Sequence, residues 1–434
     1  MTPTGASGQA QVELQRLLAT QRRRVVAHLA RSLGLPHLGL AEDAVQSAAL
    51  RALEVWPAQG VPANPAGWLF RVARNEAIDA LRVAGRYETW PEDDEPDAAI
   101  AAWSRQPEAQ GRFAGELDDE ELALLFTACH PALPVASQVV LALRVMAGLD
   151  HATLAAGLLC SEAALTQRLA RAREALAGKR LQLPAGHELA PRRDAVLTVL
   201  SLAFHAGARA RARQQGGEAA SLCWEAIRLA RALAAHPVAA HPDAHALAAM
   251  LLLHGARLTG QLDEAGHIVL LPGQPRDRWD AGMVRMGLAH LQAAQGATRL
   301  SRWHLLAGIA AEHATAADHT QTDWPCIVSY YETLLQLDPS VAPRLGHAIA
   351  LAEAGEPAAA LGLLCQLQPG LPRSLVAHGL AAQARAHERL GQNDEAVRLL
   401  QAAQGLAPHA AEARALAQRA DRMAAQLAGR GGFS

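Results

Sequence analysis

The stretch that decides the fold reads DHATLAAGLLCSEAALTQRLARAREAL, residues 150–176. In its second half Leu165, Leu169, Ala172 and Leu176 recur at i, i+4, i+7 and i+11, the apolar stripe of an amphipathic helix. Ser161 stands where an N-cap belongs. Ahead of it, residues 150–159 form a shorter helical segment with Leu154, Ala155 and Leu158 on its apolar side, and Cys160 falls in the turn. Two helices joined by so short a turn read as a helix-turn-helix. Ala164, Gln167, Arg168 and Arg171 share the face opposite the stripe. Arginine can pair with guanine or phosphate and glutamine with adenine, so this face has the composition of a major-groove helix. A solvated surface helix would carry the same residues, and both readings stand at this point.

The rest of the chain has the same helical character. Half of its 434 residues are hydrophobic, yet there are only 8 Trp, 3 Tyr and 5 Phe. Alanine and leucine fill the apolar positions and β-branched residues are few, which favours helix over strand. The length suggests two or three domains, each able to bury a core without staples. Five scattered cysteines form no CxxC pair, which argues against a disulfide framework or structural zinc. No run of apolar residues is long enough for a membrane span, and the N-terminal residues lack a signal pattern, so a cytoplasmic protein is expected.

Charge divides the chain. Residues 1–87 carry +4, residues 88–121 carry −10, residues 122–184 carry +3 and the remainder +1. A strongly acidic connector, with Pro91, Pro96, Pro107, Gly111 and Gly115, therefore separates two small basic modules.

The first module contains two readable helices. In AEDAVQSAALRALEVW (41–56) the apolar stripe is Val45, Ala49, Ala52, Leu53 and Trp56, and Pro57 is expected to end the helix. Asp43, Gln46, Leu50 and Glu54 make another face. In WLFRVARNEAIDALR (68–82) the main stripe is Leu69, Val72, Ala73 and Ala77. Ile78 and Leu81 lie off that stripe, which implies burial on more than one side. Arg71, Asn75, Asp79 and Arg82 form the open face.

From about residue 190 the chain is a run of amphipathic helices with an internal echo. AEAGEPAAALGLL (352–364) matches RLGQNDEAVRLL (389–400) around Gly355 and Gly391, and each glycine is followed five residues later by an alanine, Ala360 or Ala396. Such a period, with glycine at the turn and small residues at the seam, points to tetratricopeptide-like repeats.

Enzyme chemistry finds little support. His236, His241 and His245 in HPVAAHPDAH lack an HExxH arrangement, and prolines interrupt them, so they read as surface histidines. Cys129-His130 has no third member and reads as a buried structural cysteine beside a histidine. GxxxxGK[ST] and GxGxxG motifs are missing from the sequence. No catalytic residue, metal site or cofactor is expected.

Taken together, these segments resemble an extracytoplasmic-function (ECF) sigma factor. AEDAVQSAALRALEVW followed by NPAGWLFRVARNEAIDALR resembles sigma domain 2, and SQVVLALRVMAGLDHATLAAGLLCSEAALTQRLARAREAL resembles sigma domain 4. DDEELALLFTACHPAL, LCWEAIRLARAL, MLLLHGAR, PRDRWD and TDWPCIVSYYETLL place the resemblance in the subgroup with a long helical-repeat extension. The chain departs from the usual pattern at Leu159, where a helix-turn-helix often has glycine, at FHAGARA around His205, Ala206 and Gly207, and at AGEPAAA around Gly355.

The resemblance implies an all-α protein. Sigma domain 2 would span residues 10–87, an acidic linker 88–117, sigma domain 4 118–184, and a tetratricopeptide-like regulatory extension 185–430. Asp43, Gln46, Leu50 and Glu54 would contact core RNA polymerase. Arg71, Asn75, Asp79 and Arg82 would meet the −10 element, with Trp68 open to either core packing or base stacking. Glu162, Ala164, Gln167, Arg168 and Arg171 would meet the −35 element. The acidic linker would occupy the RNA exit path in place of nucleic acid. The extension would take a small-molecule or protein ligand, or be needed for polymerase engagement, and the sequence does not choose among these. Two other classes stay open: a helix-turn-helix activator carrying repeats, and a non-enzymatic interaction scaffold.

Overall fold

A computed structural model describes residues 3–431 apart from 35–36, 84–118, 148–150, 159, 177–188, 213–216, 238 and 408. The acidic linker expected at 88–117 and the turn residue Leu159 lie outside the described residues. Every extended regular element among the described residues is helical. Leu262 and Ile268 form one isolated antiparallel bridge. The chain divides into two compact units, Met1–Gly207 with Glu218–Val238, and Ala208–Gly217 with Ala239–Ser434.

The first unit opens with a long helix that the sequence pattern did not single out, α1 (Pro3–Leu33). It packs against α2 (Leu38–Gln59) and α3 (Pro65–Val83), and against α4 (Asp119–Ala128) and α5 (Val135–Ala147). Val25, Val26, Leu29 and Ala30 of α1 are buried in that packing. The helix-turn-helix follows as α6 (His151–Leu158) and α7 (Glu162–Ala175). Ser161 caps α7 as expected, its hydroxyl accepting the Ala164 N–H at 3.2 Å. Leu165, Leu169, Ala172 and Leu176 are all buried. Burying a leucine side chain contributes roughly 1.5–3 kcal/mol, so the stripe accounts for much of what holds α7.

Two details of α2 correct the sequence reading. Leu53 was expected in the core stripe but is 44% exposed. The buried face is rotated toward the other edge and comprises Ala41, Glu42, Ala44, Val45, Ala48, Ala52 and Trp56. Pro57 does not end the helix; α2 runs three residues beyond Trp56, to Gln59. At Pro57 only the hydrogen bond to the preceding turn is forfeited. Gly60, at φ +85°, then closes the helix by donating its N–H to the Trp56 carbonyl.

Helix α3 begins three residues earlier than its apolar pattern. Asn64 caps it by accepting the Gly67 N–H at 2.9 Å, and Pro65 suits the first turn. Ile78 and Leu81 are buried alongside Leu69, Ala73 and Ala77, as burial on more than one side requires, while Val72 is half-buried. Helices α8 (Leu189–Ala212) and α9 (Gly217–Ala235) complete the unit for most of their length. They approach closely at Gly207, where a β-carbon would lie 2.6 Å from the Cys223 amide nitrogen. Cys129 is buried, as expected, and burial pushes its thiol pKa far above the ordinary value.

The second unit is a succession of helices. It runs α10 (Pro242–Ala256), α11 (Ala281–Ala293), α12 (Arg302–Thr315), α13 (Trp324–Leu337), α14 (Val341–Glu353), α15 (Pro357–Leu367), α16 (Arg373–Arg389), α17 (Asn393–Leu406) and α18 (Ala410–Gly431). From α10 to α18 each helix packs on the next, and α14 also packs on α16. That is the packing of stacked helical hairpins. The echoed glycines occupy equivalent turns: Gly355 at φ +98° joins α14 to α15, and Gly391 at φ +75° joins α16 to α17. Ala360 and Ala396, one turn into the second helix of each pair, are fully buried. Positive φ explains the glycine and helix–helix closeness explains the alanine.

Candidate functional site

The candidate site of the first unit consists of three helix faces. On α2, Asp43, Gln46, Leu50 and Glu54 are all exposed, with Leu50 58% accessible. They stand opposite the buried face that holds Ala41, Val45, Ala48 and Ala52 against the unit's core. An exposed leucine flanked by two acids and an amide is suited to a partner that offers an apolar spot within a basic surround.

On α3, Arg71, Asn75, Asp79 and Arg82 are exposed on one side of the helix. Asp79 lies 3.6 Å from Arg82, an exposed pair that contributes little to stability. Arg51 of α2 reaches Glu76 of α3 at 3.1 Å and so ties the two faces together. Trp68 is half-buried and lies edge-on to the buried Trp56, with ring centroids 5.4 Å apart. Part of the Trp68 ring is thus packing, and part faces outward.

On α7, Glu162, Gln167 and Arg171 are exposed, and Ala164 and Arg168 are half-buried. The stripe Leu165, Leu169, Ala172 and Leu176 fixes their orientation from behind. The structure thus brings the expected residues together helix by helix, as three separate exposed faces.

Two residues escaped the sequence reading. Glu42, buried on α2, forms an ion pair with Arg144 of α5 at 2.8 Å, and the guanidinium adds a second bond from its Nε at 3.2 Å. Arg173 of α7 places its guanidinium over Gly39 at the start of α2; a β-carbon on Gly39 would lie 3.6 Å from it. An acid three residues before Val45, in register with the apolar stripe, is the only signal for the first, and no local signal exists for the second. The histidines of HPVAAHPDAH also correct an expectation. His236 is buried and His245 stacks with His290, their ring nitrogens 3.0 Å apart, so they are not simply surface histidines. No helix of the described residues is long and apolar enough to cross a membrane.

Comparisons with known proteins bear on the segment that holds α2 and α3 and on the helices that follow. The family model described as Sigma-70 region 2 matches residues 18–87, the segment that carries the α2 and α3 faces. A family of unknown function, DUF6596, matches residues 192–295. An uncharacterized protein of Rhizobium meliloti is 37% identical over 396 residues, spanning 90% of this chain and 92% of its own. Among solved structures, yeast Tom70 gives a TM-score of 0.31 at 14% identity, covering 98% of this chain and 89% of that one. The P58(IPK) TPR domain gives 0.24 at 13%, covering 95% and 99%. The repeat character of the second unit rests instead on its own helix pairs and turn glycines. With a region-2 module in the first unit, stacked helices in the second and a relative matched almost end to end, the chain belongs to the family of sigma factors that carry a helical C-terminal extension.

Proposed function

We propose that the chain is an ECF-type sigma factor that directs core RNA polymerase to its own promoters, with the helical extension as its control element. The Sigma-70 region 2 match over residues 18–87 supports a role in transcription initiation and binding to core polymerase. The exposure of Asp43, Gln46, Leu50 and Glu54 supports this face of α2 as the polymerase contact. Arg71 and Arg82 of α3 can hold phosphates of the −10 element while Asn75 reads a base edge of the melted strand. In the same reading α7 lies in the major groove of the −35 element, with Gln167, Arg168 and Arg171 as base or phosphate readers, Glu162 as a cytosine acceptor and Ala164 allowing close approach. Such a protein acts in the cytoplasm, binds rather than catalyses, and needs no cofactor of its own.

The observation that carries the proposal is that all four residues expected on each of the α2 and α3 faces are exposed inside the region-2 segment. Reconstituted transcription with core polymerase, the full chain and a library of genomic promoter fragments tests it. Selective initiation is expected, and Asn75→Ala should reduce open-complex formation without loss of core binding. Duplex binding with no initiation on any fragment would favour the helix-turn-helix activator.

A further inference from the structure

The second unit contains a group of cationic side chains with too few acids to match them. Arg257 begins the 3-10 turn that follows α10, and Arg276 begins another, Arg276–Arg278. The two turns are clamped together: the Thr259 hydroxyl donates to the Arg278 carbonyl, and the Asp280 N–H donates to the Ala256 carbonyl at 3.0 Å. His313 lies in the last turn of α12 and His319 precedes α13, and both rings lie edge-on to Trp324, at 5.2 and 5.0 Å. The Arg276 guanidinium covers the Trp279 ring at 4.2 Å.

Several nitrogens of this group are buried and make no hydrogen bond. They are Nε and one terminal nitrogen of Arg276, Nδ1 of His313, and both ring nitrogens of His319, whose side chain is only 10% exposed. A buried polar nitrogen without a partner costs about 1–3 kcal/mol; the Arg276 nitrogens are donors and each neutral imidazole carries one N–H, so the group as a whole lacks an acceptor. The neighbouring acids do not fill that role. Asp318 is exposed and is engaged by Thr320 and Gln321, although its charge reaches Arg276. Glu353 lies 3.7 Å from His319 but is already held by Arg385 and Arg389. Glu312 lies beside His313 in sequence and accepts from Cys326.

We propose that Arg257, Arg276, His313 and His319 form a binding site for a small oxyanion, a phosphate or carboxylate group, in the helical extension. Guanidinium forks match both groups, and each imidazole can turn one N–H toward the anion as a further donor. The field of the site agrees: burial and then the charges of Arg257, Arg276 and His319 push His313 down to about 3, and burial with Arg276 brings Arg257 down to about 10. A bound anion reverses that repulsion and draws a proton onto His313. The site stands on the second unit alone and does not depend on the polymerase reading.

Isothermal titration of the full chain tests it, with inorganic phosphate and succinate as separate probes at constant ionic strength set by chloride. Saturable binding of either probe is expected, with proton uptake at pH 6.5 seen as a dependence of the heat on buffer ionisation. Phosphate alone would assign a phosphate ligand, and succinate alone a carboxylate ligand. Arg276→Gln and Arg257→Gln should each weaken binding at least tenfold, Arg344→Gln on an exposed helix face should not, and His313→Gln should abolish the proton uptake. Circular dichroism of each variant separates lost binding from lost fold. Failure of both probes to saturate by 10 mM (roughly the weak limit of a specific anion site), or binding unchanged in both arginine variants, overturns the proposal. The titration uses no polymerase or promoter, so its failure leaves the sigma reading untouched.

Discussion

Glu42 and Arg144 are 102 residues apart in sequence and form a 2.8 Å ion pair between α2 and α5. The carboxylate side chain is 5% exposed and the guanidinium 16%. Helix α2 therefore presents one face outward, with Asp43, Gln46, Leu50 and Glu54, while Glu42 anchors it from within. Removing one partner of such a pair leaves an uncompensated buried charge, which costs about 3 kcal/mol. Arg144→Ala should lower the stability of the first unit by that amount in urea unfolding. The double variant Glu42→Leu with Arg144→Leu should recover most of it. Equal loss in the single and double variants would contradict the pairing.

The turn glycines make a sharper test of the repeat reading. Nothing lies within 4 Å of a β-carbon built on Gly391 or Gly355, so only the positive φ opposes a side chain there. Gly391→Ala should cost about 1–2 kcal/mol. Gly362, exposed within α15 and equally uncrowded, should gain roughly 0.5–1 kcal/mol on replacement by alanine. Thermal unfolding of the two variants should move in opposite directions.

His313 predicts a pH dependence. Its folded pKa lies at about 3, below the ordinary 6.5, because of burial and the nearby cations. The unfolded chain thus takes up a proton that the folded chain refuses. The stabilising contribution is complete above pH 6.5 and is lost as pH falls toward 3, at no more than about 1.4 kcal/mol per pH unit. His245 and His347, lowered by burial, act in the same direction. Glu353 and Glu388 are both held below the ordinary carboxylate range because their bonds from Arg385 outweigh burial, and they add a further loss only near and below pH 4.5. Urea unfolding between pH 6.5 and 5 should show a falling stability that is shallower in His313→Gln. An unchanged slope in that variant would remove His313 from the account.

On α7, Arg171 is exposed and has the buried Ala172 and Leu169 behind it. Arg171→Ala should weaken promoter-duplex binding by about 1–3 kcal/mol. Arg168→Ala should do likewise, and both should keep the wild-type unfolding midpoint within about 0.5 kcal/mol. Leu169→Ala, by contrast, should destabilise the fold by about 2–5 kcal/mol. Mobility-shift titrations at two salt concentrations separate phosphate from base contacts, since only the former change the salt slope.

What the sequence revealed follows from the range of each interaction. The α7 stripe, its Ser161 cap and the Gly355 and Gly391 turns are local patterns, and each was readable from a short window. The exposed faces of α2 and α3 were readable for the same reason. Leu53 was misplaced because a helix stripe drawn through Val45, Ala49 and Trp56 can tilt by one residue, and the α1 packing decides which edge is buried. Glu42 with Arg144, the burial of His236, and the meeting of Arg257 with Arg276 and His313 depend on tertiary neighbours. No window of the sequence contains them. The first unit also takes in most of α8 and α9, beyond the border expected at residue 185, because Gly207 lets those two helices approach closely.

The central claim is that this chain binds core RNA polymerase through the outward face of α2. The direct measurement is binding of the purified full chain to bacterial core polymerase in competition with the housekeeping sigma factor. The account predicts mutual displacement, weakened at least tenfold by Leu50→Asp combined with Glu54→Arg, with the fold of the variant intact. Simultaneous binding of both proteins to one core, or displacement unaffected by those substitutions, would contradict it.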